Sequence, residues 1–268
     1  MSSARTRILV FIPTYRCERQ IGRTLSQFSE PDVARRFDEI LVLDNRSTDG
    51  TLDAAMARAR ELNLGKVTLA RNLANYGLGG SHKAAFSYAL ENGFSHLVVL
   101  HGDDQGSIKD IVDVLDARSH EHYHCCLGAR FHPQAQLVGY SRLRIAGNHV
   151  FNALFSLISR RRLHDLGSGL NIYATQHLQD RYWWKFREDL TFNYCMILAH
   201  VAREEAIMFF PISWREDDQV SNVKLLSQAG RTLALLLRFA IGRHRFVGYD
   251  FRTDVREAFS FEIIARSV

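Results

Sequence analysis

The sequence predicts an α/β protein built on a mostly parallel sheet with helices on both faces. Three observations predict it. Short apolar runs recur at RILVFIP (7–13), EILVLD (39–44), KVTLA (66–70) and HLVVLHGDD (96–104). Segments with helical apolar spacing separate them. Each run closes in a turn or a polar rim rather than a hairpin signal. Repeated β-loop-α of this kind gives parallel crossovers and a doubly wound sheet.

The first run is closed by Pro13 and reads as a buried parallel strand. ERQIGRTLSQF (18–28) follows as a helix, with Ile21, Leu25 and Phe28 on one face. The second strand ends in NRSTDG (45–50), whose Ser, Thr and Asp suit a helix start. TLDAAMARARELN (51–63) fills that helix. After the third strand comes a glycine-rich loop (72–81), then a helix over 81–93 and the fourth strand. A helix is expected near Ile108–Leu115.

The pattern changes after about residue 120. CCLGAR (125–130) reads as a further strand, 138–163 as mostly helix, and DLGSGLNIYA (165–174) as a turn and a short strand. Helical stretches are expected near 176–185 and 188–203. AIMFFPISW (206–214) reads as an edge or mixed-sheet strand interrupted by Pro211. LLSQAGRTLALLLRFAIGRHRF (225–246) closes the pattern. The simplest division is a catalytic-type domain over 1–226, with halves at about 7–120 and 121–226. A basic amphipathic extension covers 227–268.

Composition narrows the classes. The chain has 268 residues, 46% hydrophobic and 24% charged, as globular proteins have. Four prolines and no low-complexity tract argue against long disordered linkers. Cys17, Cys125, Cys126 and Cys195 lack metal-site spacing, so a reduced cytosolic chain is the default. No apolar run approaches ~18 residues, which excludes an evident transmembrane helix. The net charge of +5 suits an anionic partner of any kind. No nucleic-acid reading motif accompanies it, and none is expected to bind.

Ligands in an open parallel sheet bind beyond the carboxyl ends of the strands. The polar signals Pro13-Thr14-Tyr15, Asp44-Asn45 and His101-Gly102-Asp103-Asp104-Gln105 should share that rim. Carboxylate and carboxamide oxygens there suit a hard cation bridged to phosphate. The competing reading is plain: Asp44 caps a turn, and Asp103 and Asp104 begin a helix. NYGLGGS permits close backbone approach to a ligand, or merely a tight turn. It is neither G-x-G-x-x-G nor a P-loop. The first strand is followed by PTYRCER, not glycines, which disfavours a dehydrogenase.

These residues together resemble glycosyltransferase family 2, the inverting nucleotide-sugar transferases of GT-A fold. The nearest branch resembles the polyprenyl-phosphate sugar transferases, of which dolichyl-phosphate mannose synthase is typical. IPTYRCERQI (12–21) is similar to the family's P-x-Y-N-E opening, with Arg16 where Asn is usual. LVLDNRSTDGT is similar to V-D-D-G-S-x-D-x-T, and RNLANYGLGGSHKAA to R-N-x-G-x-G-x-A. HGDDQ stands where these enzymes carry D-A-D-x-Q, with His101 replacing the first Asp. The resemblance covers roughly residues 7–226.

What the resemblance implies is specific. Pro13, Thr14, Tyr15, Glu18, Asp44, Asn72, Gly77, Lys83 and Asp103 would surround a UDP- or GDP-linked sugar. Asp103 and Gln105 would hold a divalent cation, Mn²⁺ or Mg²⁺. His101 would join them or touch only nucleotide; imidazole suits Mn²⁺ better than Mg²⁺. Asp189 would act as general base, with Glu188 as an orienting acid. Asp165 would orient acceptor or sugar. Arg130, Arg142 and Arg144 would meet an acceptor phosphate, and Lys224 the diphosphate.

The expected acceptor is a polyprenyl phosphate or another membrane lipid, in cell-envelope glycan synthesis. A hydroxyl of a glycolipid or polysaccharide intermediate remains open. So does a non-catalytic nucleotide-sugar or lipid-phosphate binding module. The basic, apolar tail suits peripheral contact with an anionic membrane, which would place the chain in the cytoplasm or at the inner face of the cell membrane.

Overall fold

The computed structural model describes residues 6–217 and 225–266. Strands β1 (Ile8–Thr14), β2 (Glu39–Asp44), β3 (Val67–Asn72) and β4 (His96–Leu100) run parallel. Helices α1 (Glu18–Ser26), α2 (Pro31–Ala34), α3 (Thr51–Glu61) and α4 (Gly77–Glu91) lie between them, and α5 (Ile108–Asp116) follows. The chain continues through β5 (Cys125–Ala129), β6 (Gln136–Val138), α6 (Arg142–Ser159), β7 (Leu170–Ala174) and α7 (Phe192–Ala202). It ends with β8 (Ile207–Pro211), β9 (Ser213–Arg215), α8 (Leu225–Ile241) and β10 (Phe261–Arg266). The central sheet has the order β10-β3-β2-β1-β4-β7-β5-β8. Only β10 and β7 run antiparallel to their neighbours.

The period of two along each strand splits the core into layers. On β1, Leu9 and Phe11 face α4, α7 and α8, while Ile8, Val10 and Ile12 face α1, α3 and α5. All five are essentially inaccessible, and burying each side chain of that size is worth about 1.5–3 kcal/mol.

Several elements differ from the sequence expectation. The glycine-rich loop is already helix, since α4 starts at Gly77. Its first amides are satisfied from outside the helix: Gly77 N–H donates to Asn75 Oδ1 at 3.0 Å, and Gly79 N–H to the Glu188 carbonyl at 2.8 Å. The stretch 176–185 forms only two tight turns, over Thr175–His177 and Tyr182–Lys185. Arg181, at φ 51°, interrupts a continuous helix between them. Pro211 divides 206–214 as expected. Before it β8 edges the main sheet, and after it β9 pairs with β6 in a separate ribbon. The segment 227–268 adds an unforeseen strand, β10, to the main sheet, and Phe239, Phe246, Phe251 and Phe259 to the core. No helix among the described residues is long and apolar enough to cross a membrane.

The close approach at α4 yields a direct test. A Cβ on Gly79 would lie 2.4 Å from the Arg187 carbonyl oxygen and 2.8 Å from Phe192 Cβ. Gly79→Ala should therefore cost roughly 1–3 kcal/mol, as overpacking against backbone does. Urea unfolding checks it; a variant as stable as the parent would refute this packing.

Candidate functional site

The crossovers bring the ends of β1, β2 and β4 to one rim, and a cleft of about 350 Å³ opens there. Thr14 and Tyr15 form one wall, Asn45, Asn75, Gly77 and Ser81 another, and His101, Gly102 and Asp103 the floor. Gly102 permits the β4 loop to press on β1, because a Cβ would sit 2.6 Å from Thr14 Cγ2. Leu190, beside Asp189, closes one side.

The polar wall is pre-organised. Asn45 Oδ1 accepts from Asn72 Nδ2 (2.9 Å) and from the Tyr76 amide (2.8 Å), while Asn45 Nδ2 donates to Asn75 Oδ1 (2.9 Å). Asn72 Nδ2 also donates to Ser81 Oγ at 2.9 Å. Asn75 and Ser81 were not picked out from the sequence as site residues, and Asn45 only as a polar signal at the end of β2. Their signal was polarity just past β2 and before α4. Buried Thr14 Oγ1, Asn72 Oδ1 and His101 Nε2 have no hydrogen-bond partner among the described residues. Such groups are costly unless something binds them.

Asp44 and Glu18 sit behind this wall rather than on it. Asp44 is fully buried, accepts from the Ser47 amide at 3.1 Å and faces Arg71 at 3.5 Å. Glu18 accepts from the Gly50 amide at 3.1 Å. Both brace the loop 45–50. Pro13 lines the cleft, and Tyr15 stays exposed on its rim beside the Arg16 guanidinium. Cys17 also lines the cleft, but burial, reinforced by Asp103, pushes its thiol up to about 12, so it is no nucleophile at neutral pH.

The HGDDQ loop divides its side chains between two cavities. His101 and Asp103 line the cleft, while Asp104 and Gln105 line a second cavity of about 530 Å³ behind it. Asp104, at φ 57°, turns into a cradle of Arg23 Nε (2.8 Å), Arg215 Nη2 (2.7 Å) and Gln27 Nε2 (3.2 Å). The expected pairing of Asp103 with Gln105 at one cation is not what the loop presents; Asp103 shares the cleft with His101. Burial raises the Asp103 carboxyl to about 6. Burial, then the positive charge of Arg130, lowers His101 to about 4, so the imidazole is neutral at pH 7. A neutral imidazole with an unpartnered Nε2 beside a carboxylate is a donor set that fits a divalent transition cation.

The predicted acidic and basic partners are mostly paired with one another. Lys83 does not reach the cleft. It is fully buried and ion-paired with Glu188 at 2.7 Å, donates to the Phe186 carbonyl at 2.6 Å, and lies 4.8 Å from the Phe259 ring. Burial pulls its pKa down, against the pull of Glu188. Glu188 also accepts from Thr253 N and Oγ1 and so faces the interior, and it does not line the cleft. Arg130 is likewise committed: its Nε and Nη2 each donate to Asp165 at 2.8 Å, a buried bidentate pair. The separation of these two residues was not legible in the sequence.

Asp189 is half-buried beside Leu190. Burial alone would raise its carboxyl; the Thr191 hydroxyl and amide and the Arg187 guanidinium outweigh that and hold it below its ordinary range. Arg231 Nη1 lies 3.2 Å from it. Arg144 is paired with Glu216, and Arg142 is exposed at the start of α6. Lys224 lies outside the described residues.

Among the described residues one other cluster has metal-ligand chemistry: His124, His177 and Glu205. It lies at the start of β5, on the rim opposite the cleft. Its donors are already engaged, Glu205 by His200 and Arg203, and His124 Nδ1 by the Ala206 amide. It is a hydrogen-bonded network apart from the cleft.

The sequence profile described as Glycosyl transferase family 2 matches residues 9–183. An undecaprenyl-phosphate mannosyltransferase of Micrococcus luteus is 26% identical over 195 residues, 70% of this chain and 77% of that protein. A polyprenol monophosphomannose synthase of Mycolicibacterium smegmatis is 28% identical over 202 residues, 70% of this chain and 71% of that protein. Among solved structures, S. aureus TarS 1–349 superposes with a TM-score of 0.59 at 17% identity, covering 89% of this chain and 65% of that one. Glucosyl-3-phosphoglycerate synthase from Mycobacterium tuberculosis, in complex with Mn²⁺, UDP and phosphoglyceric acid, gives 0.59 at 16% identity, covering 89% and 78%. The folds agree, a mostly parallel GT-A sheet with helices.

The Lys83–Glu188 pair predicts a structural phenotype. Removing one partner of a buried pair leaves a stranded charge and costs about 3–5 kcal/mol. Lys83→Met should lose stability on that scale in urea unfolding, and Lys83→Met combined with Glu188→Leu should recover most of it. A stable single variant that fails only in donor binding would reverse the assignment.

Proposed function

The chain belongs to glycosyl transferase family 2, and from that membership we propose that it moves a sugar from a nucleoside diphosphate to a lipid phosphate at a membrane surface. The observation that carries the reading is the cleft itself. It combines a carboxamide wall, unpartnered Thr14 Oγ1 and His101 Nε2, and Asp103 at the carboxyl ends of β1 and β4. The lipid-phosphate acceptor is supported by the two relatives named for polyprenyl-phosphate mannosylation.

In this reading the base and ribose lie against Tyr15, Asn45 and Asn75, and the diphosphate lies over the HGDDQ loop. Asp103 and His101 would hold a divalent cation, Mn²⁺ or Mg²⁺. When bound, that ion supplies charge neutralisation for the departing diphosphate. Thr14 Oγ1 and the carboxamides orient the donor. Displacement at the anomeric carbon is single and inverting.

Asp189 discriminates between acceptors. A carboxylate held low by Thr191 and Arg187 is a poor proton acceptor. A hydroxyl nucleophile would need a better base, whereas a phosphate arrives already anionic. Arg231 and Arg187, which neutralise Asp189, and exposed Arg142 then serve to guide an anion.

The test supplies one donor sugar with polyprenyl phosphate, a neutral glycolipid and a soluble saccharide in turn. Transfer should favour polyprenyl phosphate, and Arg142→Ala should raise the acceptor KM about tenfold, the loss of ~1.4 kcal/mol of binding. Asp189→Asn should cost less than the ~10²–10⁴-fold typical of a lost general base. Transfer only to a neutral hydroxyl, with a loss in that range for Asp189→Asn, would overturn the acceptor while leaving the family intact.

A further inference from the structure

Helix α6 is apolar on two faces. Asn152, Phe155 and Ser159 turn inward. On the outer side, Leu143, Val150 and Leu157 are 82%, 66% and 76% exposed. Their spacing of seven residues puts them on one line along the helix, two turns apart. Helix α8, in contact with α6, repeats the arrangement. Leu235, Leu236 and Phe239 are buried, while Leu233, Leu237 and Ile241 are exposed at four-residue spacing. A helix on a globular surface ordinarily turns a charged face to water. These two do not.

The charge carried by the two helices themselves has one sign. Neither helix contains an acidic residue, and exposed Arg142, Arg160, Arg162, Arg238 and Arg245 border the apolar lines. Leucine and isoleucine in rows edged by arginine, without acids, are the composition of an interfacial helix. The face is tied to the segment that carries Leu190 of the cleft wall. Arg231, near the start of α8, reaches Asp189, and Arg144, near the start of α6, reaches Glu216 just past β9.

We infer that the α6–α8 face docks on an anionic lipid bilayer, with its leucine rows in the acyl boundary and its arginines among the headgroups. This deepens the lipid-phosphate reading and rests on it: a lipid acceptor cannot leave the bilayer, so the cleft must be held at the surface. A protein partner would bring its own acidic groups to these arginines, but nothing in either helix sets a register for one. The rows are smooth and the charges lie at their borders, which fits a fluid surface.

The experiment is co-sedimentation with vesicles of phosphatidylcholine alone or with phosphatidylglycerol, without donor or acceptor. The parent should bind the anionic vesicles, more weakly as salt rises, and bind the neutral ones poorly. Replacing Leu143, Leu157 and Leu237 together with Ser should lower the partition coefficient by roughly tenfold or more, given ~0.8 kcal/mol per buried methylene. Thermal unfolding should stay unchanged, since these side chains are largely exposed. Transfer to a short-chain, water-soluble prenyl phosphate should also stay unchanged.

A parent that ignores anionic vesicles overturns the inference, as does a triple variant that binds like the parent. A parent dimer that the triple variant splits, without vesicle binding, assigns the face to self-association and overturns it too. Vesicle binding that responds to the triple variant, with no transfer to any prenyl phosphate, upholds the docking face and defeats the acceptor reading alone.

Discussion

Lys83 carries a full charge into the core, and three separate parts of the chain arrange themselves around it. It stands on α4, pairs with Glu188 and donates to the Phe186 carbonyl. Glu188 in turn holds Thr253, and Phe259 lies over the ammonium. One ion pair thereby ties the nucleotide-side helix, the segment ahead of α7 and the C-terminal strap. A buried pair is weak evidence of net stability, because desolvation offsets attraction. Its effect here is geometric: it fixes where residues 187–190 lie against Gly77 and Gly79. The cleft wall at Leu190 and the position of Asp189 both follow from that contact.

The same principle governs the opposite wall. Asp165 accepts from Nε and Nη2 along one edge of the Arg130 guanidinium, and Asp104 gathers Arg23, Arg215 and Gln27 behind the β4 loop. These pairs consume acids and bases that would otherwise face substrate. Among the described residues the cleft is lined by one carboxylate, one neutral imidazole, the hydroxyls of Thr14, Tyr15 and Ser81 and the carboxamides of Asn45 and Asn75. Burial raises the Asp103 carboxyl, against the pull of the Gln105 amide and of the Arg130 charge. A metal ion would reverse that tendency, since a cation favours the ionised form.

The sheet and the rim that carries the cleft were legible in the sequence because both follow local rules. Apolar runs of strand length alternate with helical spacing, and ligands gather past the carboxyl ends of such strands. Pro13, Thr14, Tyr15, His101 and Asp103 line the cleft on that logic. The pairings were not legible. Lys83 and Glu188 are 105 residues apart, Arg130 and Asp165 are 35, and nothing local marks either pair. Gln105 and Asp103 share a motif yet face different cavities, because the positive φ of Asp104 between them redirects the loop. The glycines of NYGLGGS read as room for a ligand or as a tight turn; Gly79 and Gly80 make room for Arg187, Phe192, Tyr76 and Phe259. Strand β10 escaped notice because its half-exposed FEIIAR lacks clean alternation and pairs only at the sheet edge.

The central claim is that this cleft binds a nucleoside diphosphate through Asp103 with a divalent cation. Calorimetric titration of UDP and of GDP, with and without Mn²⁺, into the parent and Asp103→Asn tests it most directly. One of the two nucleotides should bind saturably, and Mn²⁺ should tighten that binding at least about tenfold, ~1.4 kcal/mol. The tightening should vanish in Asp103→Asn while its unfolding remains cooperative. Saturable binding with an undiminished Mn²⁺ effect in the folded variant would contradict the assignment of Asp103, and no binding of either nucleotide would contradict the site.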